Sequence, residues 1–246
     1  MSYIRSQSSG ELLSNTFTLY RRHFLAVVTA FALLGFPTLL AQGLAPLAGS
    51  WMLIIGAMLV SLVTSTLSFA AMITVISDAC VGLEPDLRRA YRRMWRYFVP
   101  LLIAGLLQGL AIFLGFALLL VPGVIALVLF MFVSPVVILE RRSGIDALRR
   151  SASLAKNFFW RNLGLVAVLM LICGVAGGVL GFTLGIVKAV SEMELTMYMM
   201  LYAIVMAVFQ TIFLPLGLIL NLLLYYDLRA RKEAYDLDQL SQELQY

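Results

Sequence analysis

Side chains able to do chemistry are few in this chain, and they are scattered. It has one histidine, His23, two cysteines, Cys80 and Cys173, and thirteen acids. Catalysis needs an activated nucleophile, a set of metal ligands, or acids and bases that converge. Here no His, Cys, Asp and Glu residues fall at ligand spacing, and no glycine loop is built to cradle a phosphate. His23 stands beside Arg21 and Arg22 and reads as an ordinary residue at the headgroup level rather than a proton-transfer group. Gly43, Gly49 and Gly56 are too dispersed for a nucleotide motif. The sequence therefore predicts a protein that is not an enzyme, holds no metal or cofactor, and keeps both thiols free.

Positive charge, by contrast, is concentrated. Arg88, Arg89, Arg92, Arg93 and Arg96 fall on the polar face of a helix whose other face carries Leu87, Tyr91, Met94, Trp95 and Phe98. Arg149 and Arg150 recur in the same relation to a second apolar stripe. A basic amphipathic helix of this kind lies in a membrane interface, and each basic residue near anionic lipid contributes about 1 kcal/mol. These seven arginines are the expected contacts for an anionic lipid or a protein partner, set against a simpler role as topology signals. Asp78, Glu140 and Asp227 mark the mouth of the same face, and each is expected to pair with a neighbouring arginine.

Behind these residues lies a repeat. Leu13, Phe17, Tyr20 and Phe24 have the same spacing as Leu87, Tyr91, Met94 and Phe98, and as Leu148, Ala152, Ala155 and Phe159. Each copy is one apolar helical stripe followed by a run long enough to cross a bilayer twice. The three acids each end the second helix of a hairpin. Asp78 to Gly82 and Glu140 to Gly144 have equal spacing, followed by Leu87-Arg88-Arg89 and Leu148-Arg149-Arg150. Fixed spacing of this kind indicates triplication of one unit.

With 62% hydrophobic and 13% charged residues in 246, the chain is too apolar for a soluble core. A hydrocarbon layer of about 30 Å needs roughly 20 apolar residues per helix. Six such runs are present, near residues 24–44, 51–78, 98–120, 122–139, 163–187 and 198–226. The predicted fold is thus an all-α, polytopic membrane protein of six transmembrane helices, built as three repeats of an interfacial amphipathic helix plus a transmembrane hairpin. One integral domain covers residues 1–246, with repeats at about 8–78, 84–140 and 145–227 and a polar, helical tail at 228–246.

Of the 18 Lys and Arg residues only Lys188 lies on the face opposite the others, so both termini and both long connections are expected in the cytoplasm. The segment up to His23 is polar and has no small-residue cleavage pattern, which makes the first run an anchor rather than a cleaved leader. Glu84-Pro85-Asp86 reads as a helix start. Val121-Pro122-Gly123 reads as the tip of the second hairpin, with a re-entrant element as the alternative. Pro37, Pro135 and Pro215 should kink their spans. Gly174, Gly177, Gly178, Gly181 and Gly185 have the spacing of close helix contacts.

No acid falls near the middle of a span. The polar residues there are neutral: Thr64, Ser65, Thr66 and Ser68, Gln108, Ser134, Gln210, Thr211 and Asn221. They read either as interhelical hydrogen-bonding groups or as a cleft for an amphipathic substrate.

The stretches Leu120-Val-Pro-Gly-Val-Ile-Ala126, Ser134-Pro-Val-Val-Ile-Leu-Glu140, Gly144-Ile-Asp-Ala-Leu-Arg-Arg-Ser151 and Asn157-Phe-Phe-Trp-Arg161 carry a resemblance. Together they resemble the membrane domain of some bacterial glycerophosphodiester phosphodiesterases and the YciC-type inner-membrane proteins. The likeness covers about residues 8–226, and its specific part is 120–161. It implies a bacterial inner membrane and a fold. It implies no activity, because in the fused enzymes the chemistry belongs to a separate barrel with histidines and metal-binding carboxylates. The function expected is a non-enzymatic inner-membrane protein that binds lipid or scaffolds a membrane or cytoplasmic protein through its basic helices. A carrier or flippase for an amphipathic or phosphorylated lipid-like substrate is the alternative. Nucleic acid is not expected as a partner, and the sequence leaves the oligomeric state open.

Overall fold

The computed structural model describes residues 6–44, 51–81, 83–84, 86–191 and 193–233. Among these there is no strand, and nine α-helices follow one another: α1 Ser9–Arg22, α2 Phe24–Leu44, α3 Trp51–Val81, α4 Leu87–Leu118, α5 Leu120–Phe130, α6 Val133–Leu139, α7 Gly144–Ala155, α8 Phe159–Val190 and α9 Leu195–Glu233. Five stretches are long and apolar enough to cross a membrane: Trp51–Cys80, Leu87–Leu118, Leu120–Leu139, Gly144–Val190 and Leu195–Glu233. In α2, Phe24–Leu33 and Gly35–Ala41 meet at 49°, and the two together pass the same test. Pro37 lies just past that bend and leaves the Leu33 carbonyl without its helical donor. Connections at 45–50, Gly82, Pro85 and the segment 234–246 lie outside the described residues.

Local chemistry sets the breaks. Ser8 caps α1 in a reciprocal box, accepting from the Glu11 amide at 3.3 Å while the Glu11 carboxylate accepts from the Ser8 amide at 2.7 Å. A single non-helical residue, His23, separates α1 from α2. Asp86 caps α4, its side chain accepting from the Arg89 amide at 3.2 Å. A 3-10 turn at Lys156–Phe158 joins α7 to α8. The basic segment at 87–98 differs from the other two, because α4 runs unbroken for 32 residues, about 48 Å, past Pro100. The expected separate surface helix is here the first turns of a long one.

The second hairpin turns at Leu119, which is extended, and Pro122 and Gly123 belong to the opening turn of α5, where proline's missing N–H is harmless. Close approach is built in at that tip. A Cβ on Gly123 would lie 2.4 Å from the Phe116 ring, and one on Gly115 would lie 2.9 Å from the Gly123 Cα. In α8, only Gly177 and Gly181 face α9, against Phe209 and the Met206 methyl, while Gly174, Gly178 and Gly185 face open space. The glycine row thus packs on side chains rather than bringing two backbones together.

The fourth apolar run is broken between α5 and α6, at Met131 and Phe132. Pro135 cannot donate to the Met131 carbonyl, and Asn221 of α9 takes that carbonyl through its Nδ2 at 2.9 Å. Ser151 of α7 bridges the same break, accepting from the Phe132 amide at 3.2 Å and donating to the Leu129 carbonyl at 2.7 Å. This is how irregular backbone is tolerated inside an apolar helix layer.

Helix α9 forms the core of the basic end. It packs on α1, α2, α3, α7 and α8, and Leu222 to Arg229 are buried without interruption. Away from that end the exterior is apolar: Trp51, Met52, Phe182 and Val190 are each at least 72% exposed. Such an exterior suits acyl chains, and the five long helices are compatible with a multi-pass membrane protein.

The three basic segments share a buried face. Thr16, Ala90 and Ser151 are buried at one corresponding position, and Tyr20, Met94 and Ala155 at another. Each segment also gives one hydroxyl, at a different offset, to a carbonyl of an apolar helix: Tyr20 to Ile212 at 2.6 Å, Tyr91 to Ala30 at 2.7 Å and Ser151 to Leu129 at 2.7 Å.

Candidate functional site

Asp227 sits near the end of α9 with no solvent exposure, and three groups hold its carboxylate. Arg161 of α8 donates from Nη1 at 2.5 Å, Arg231 from Nε at 3.0 and 3.1 Å, and the backbone amide of Gln7 at 2.6 Å. The Gln7 carbonyl closes the ring, accepting from Arg161 Nη2 at 2.8 Å and Arg231 Nη2 at 2.7 Å. An N-terminal strap, the start of α8 and the end of α9 are thereby tied to one buried charge. Charge-assisted bonds at full burial are the strong kind.

Glu140, just past α6, anchors a second cluster. Arg150 of α7 donates from Nε to both of its oxygens at 3.0 and 2.7 Å, Tyr225 donates from its hydroxyl at 3.0 Å, and Arg142 Nε lies at 3.2 Å. Glu233, in the last turn of α9, pairs with Arg150 Nη2 and with Arg229 Nε at 3.1 Å, while Arg229 Nη1 donates to the Tyr225 hydroxyl at 3.2 Å. Asp78 is also buried, near the end of α3, with Arg89 and Arg93 of α4 supplying the facing positive charge. Arg89 and Arg150 stand at the same offset from Leu87 and Leu148, but Arg150 bonds its acid directly whereas Arg89 pairs with Asp86 at 3.9 Å and reaches Asp78 only through its charge.

Some arginines turn inward and some outward, with Arg21, Arg22 and Arg141 among the exposed. Arg150, Arg161, Arg229 and Arg231 are drawn into the ion pairs just described. For Arg150 this corrects the sequence expectation, which grouped it with the outward-facing contacts; its side chain is 17% exposed and spent on Glu140 and Glu233. Arg149, one residue earlier, is 79% exposed and only 3.9 Å from the equally exposed Asp146. Arg88 and Arg92 are exposed and have no ion pair or hydrogen bond among the described residues, while Arg93 and Arg96 are engaged. Arg88, Arg89 and Arg92, with Asp86, line a surface concavity of about 680 Å³. Trp95, one turn on, is 64% exposed.

Two titratable groups stand at the C-terminal end of α1, Tyr20 within it and His23 just after it. Burial, aided by Arg22, pulls the His23 imidazole below its usual value, so it stays neutral near pH 7 while its backbone amide caps α1 on the Leu19 carbonyl at 3.0 Å. Burial pushes the Tyr20 phenol up to about 12.

Gln7, Arg161, Arg231 and Tyr225 were not singled out from the sequence. A backbone amide such as that of Gln7 leaves no residue-type signal. Arg161 stood inside the repeat as one more basic residue, with nothing local to connect it to an acid 66 positions later.

A family model described as Domain of unknown function (DUF7847) matches residues 107–228. No curated protein and no solved structure matches the chain.

Proposed function

We propose that this is a non-enzymatic, six-span protein of a bacterial inner membrane, with both termini in the cytoplasm, that binds anionic lipid head groups at the start of α4. The observation that carries the reading is the division of the arginines. Four are consumed in ion pairs with Glu140, Asp227 and Glu233, whereas Arg88 and Arg92, one helical turn apart, project into a basic concavity with no partner among the described residues. Topology alone does not require a concave arrangement. Trp95 beside them is a residue suited to the headgroup level. On this reading the bent α2 is the sixth span, and the buried positions shared by Thr16, Ala90 and Ser151 and by Tyr20, Met94 and Ala155 support the threefold repeat. Kinship with the membrane domain of glycerophosphodiester phosphodiesterases is part of the proposal and rests on residues 120–161, which fall inside the matched stretch.

Native mass spectrometry of the gently extracted protein with added phosphatidylglycerol and phosphatidylcholine tests this. Selective retention of phosphatidylglycerol, weakened at least fivefold in the R88Q/R92Q variant at unchanged melting temperature, is the expected result. Equal retention of both lipids, or no effect of the substitutions, rejects it and turns the search to protein partners.

A further inference from the structure

A cleft of about 370 Å³ opens between α3, α4, α6 and α9. Its polar wall is Ser65 and Thr66 of α3, Gln108 of α4, Ser134 of α6 and Asn221 of α9. Ser134 and Asn221 each stand six residues before a buried acid, Glu140 and Asp227, so this wall lies about 9 Å along the helices from the charged end. Gln108 lies within the apolar stretch of α4. None of the residues lining the cleft is charged.

The hydrogen-bonding state of these groups is uneven. Ser65 and Thr66 spend their protons on the Leu62 carbonyl at 3.2 and 2.7 Å and offer only acceptor lone pairs. Asn221 gives one N–H to Met131 and keeps its Oδ1 and second N–H. Gln108 and Ser134 have no hydrogen-bond partner among the described residues. Both are part-buried, and an unpaired polar group in apolar surroundings is unfavourable. Four helices thus direct donors and acceptors into a space that would otherwise be lined more cheaply with leucine.

We propose that this cleft binds the uncharged, hydroxyl-bearing head group of a neutral lipid, one whose acyl chains extend along the apolar exterior. The charge follows from the lining: a phosphate or ammonium group at that depth would be desolvated with no counter-charge on the wall, which costs several kcal/mol. A hydroxyl matches the mixed set, since it donates to the Ser65 and Thr66 oxygens and accepts from the Gln108 amide. The volume is at the small end of ligand sites and suits a head group rather than a whole lipid. The proposal is independent of the arginine concavity, which takes the opposite class of ligand.

The probes are dioleoylglycerol and dioleoylphosphatidic acid, which differ only by the phosphate, titrated against the purified full chain and read by native mass spectrometry. The expected result is one retained dioleoylglycerol per chain, with retention reduced at least tenfold in Gln108→Leu and in Ser134→Ala while the melting temperature is kept or raised. Phosphatidic acid binding should be untouched by those two substitutions and reduced by R88Q/R92Q. Should Gln108→Leu misfold, Gln108→Met and Ser134→Ala carry the test. Unchanged dioleoylglycerol retention in the cleft variants, displacement of dioleoylglycerol by phosphatidic acid, or no saturable retention at all, meaning a cleft that holds water only, overturns the assignment.

Discussion

Replacing Asp227 by asparagine keeps the shape of the side chain and removes its charge. In the structure that charge meets Arg161 at 2.5 Å, Arg231 at 3.0 Å and the Gln7 amide at 2.6 Å, with no solvent contact of its own. Asparagine offers one acceptor oxygen and an NH₂ that must point at a donor, so at least one of the three donors loses its partner. Arg161 and Arg231 are 20% and 31% exposed, so both retain some access to water and part of the loss is recovered there. Removing one partner of a buried pair costs about 3–5 kcal/mol. With that recovery the expected loss is at the lower end, about 3 kcal/mol, or roughly 6–12 °C in melting temperature for a chain of this size. Thermal unfolding of the purified protein in one fixed detergent measures it, with hydrogen exchange at Gln7 and Ser8 as the local readout. Both amides should exchange faster in Asp227→Asn, because the Gln7 carbonyl is held by the same two arginines. An unchanged melting temperature, or an equally protected Gln7 amide, would show that the cluster does not hold the N-terminal strap.

Three further outcomes follow from other parts of the structure. Asn221→Leu strands the Met131 carbonyl and should cost about 1–3 kcal/mol, and Pro135→Ala in the same chain should restore most of that by returning the helical N–H; additive losses in the double variant would show that the carbonyl is not the link. Tyr20→Phe should cost about 1 kcal/mol at neutral pH. Because burial raises that phenol to about 12, the difference from the parent is full below the ordinary phenol value and fades as pH climbs through 12, and a difference that stays constant across that range contradicts it. Asn162 is fully buried with neither amide atom bonded, at the repeat position held by Val27 and Leu101, so Asn162→Leu should raise the melting temperature, and a fall would mean that the amide has a partner or a task.

Part of this arrangement was legible in the sequence from the spacing of its charged residues. The three acids and the arginines that follow them were visible by their spacing; Arg150 bonds Glu140, while Arg89 pairs with Asp86 at 3.9 Å and acts on Asp78 only through its charge. Which side of each basic helix faces protein was less legible. In the first basic segment Leu13, Phe17 and Phe24 of the stripe are half-buried or exposed and Tyr20 alone of it is buried, beside Leu12, Thr16 and Leu19. Beside lipid, apolarity no longer separates inside from outside, and small or hydroxyl-bearing residues mark the packed face instead. That also explains Arg150: adjacent arginines point about 100° apart on a helix, and only the buried neighbours of Ser151 decide which one turns inward. The kink at Pro135 was legible as a missing donor. The compensating group was not, since Asn221 lies 90 residues from the carbonyl it serves. The continuity of α4 was missed because the 87–98 segment was read on the pattern of the other two, whose helices end at His23 and at the turn Lys156–Phe158 while α4 has no such break.

The most direct test of anionic lipid binding at α4 uses Trp95, which is 64% exposed and one turn beyond Arg92. With Trp51 and Trp160 replaced by phenylalanine, Trp95 becomes the single tryptophan of the chain and reports on the lipid beside it. In mixed vesicles, brominated phosphatidylglycerol should quench it at least twice as strongly as brominated phosphatidylcholine at equal mole fraction. That preference should vanish at high salt and in R88Q/R92Q. Equal quenching by the two lipids at low salt, with the protein folded, would contradict it and leave these arginines as topology signals.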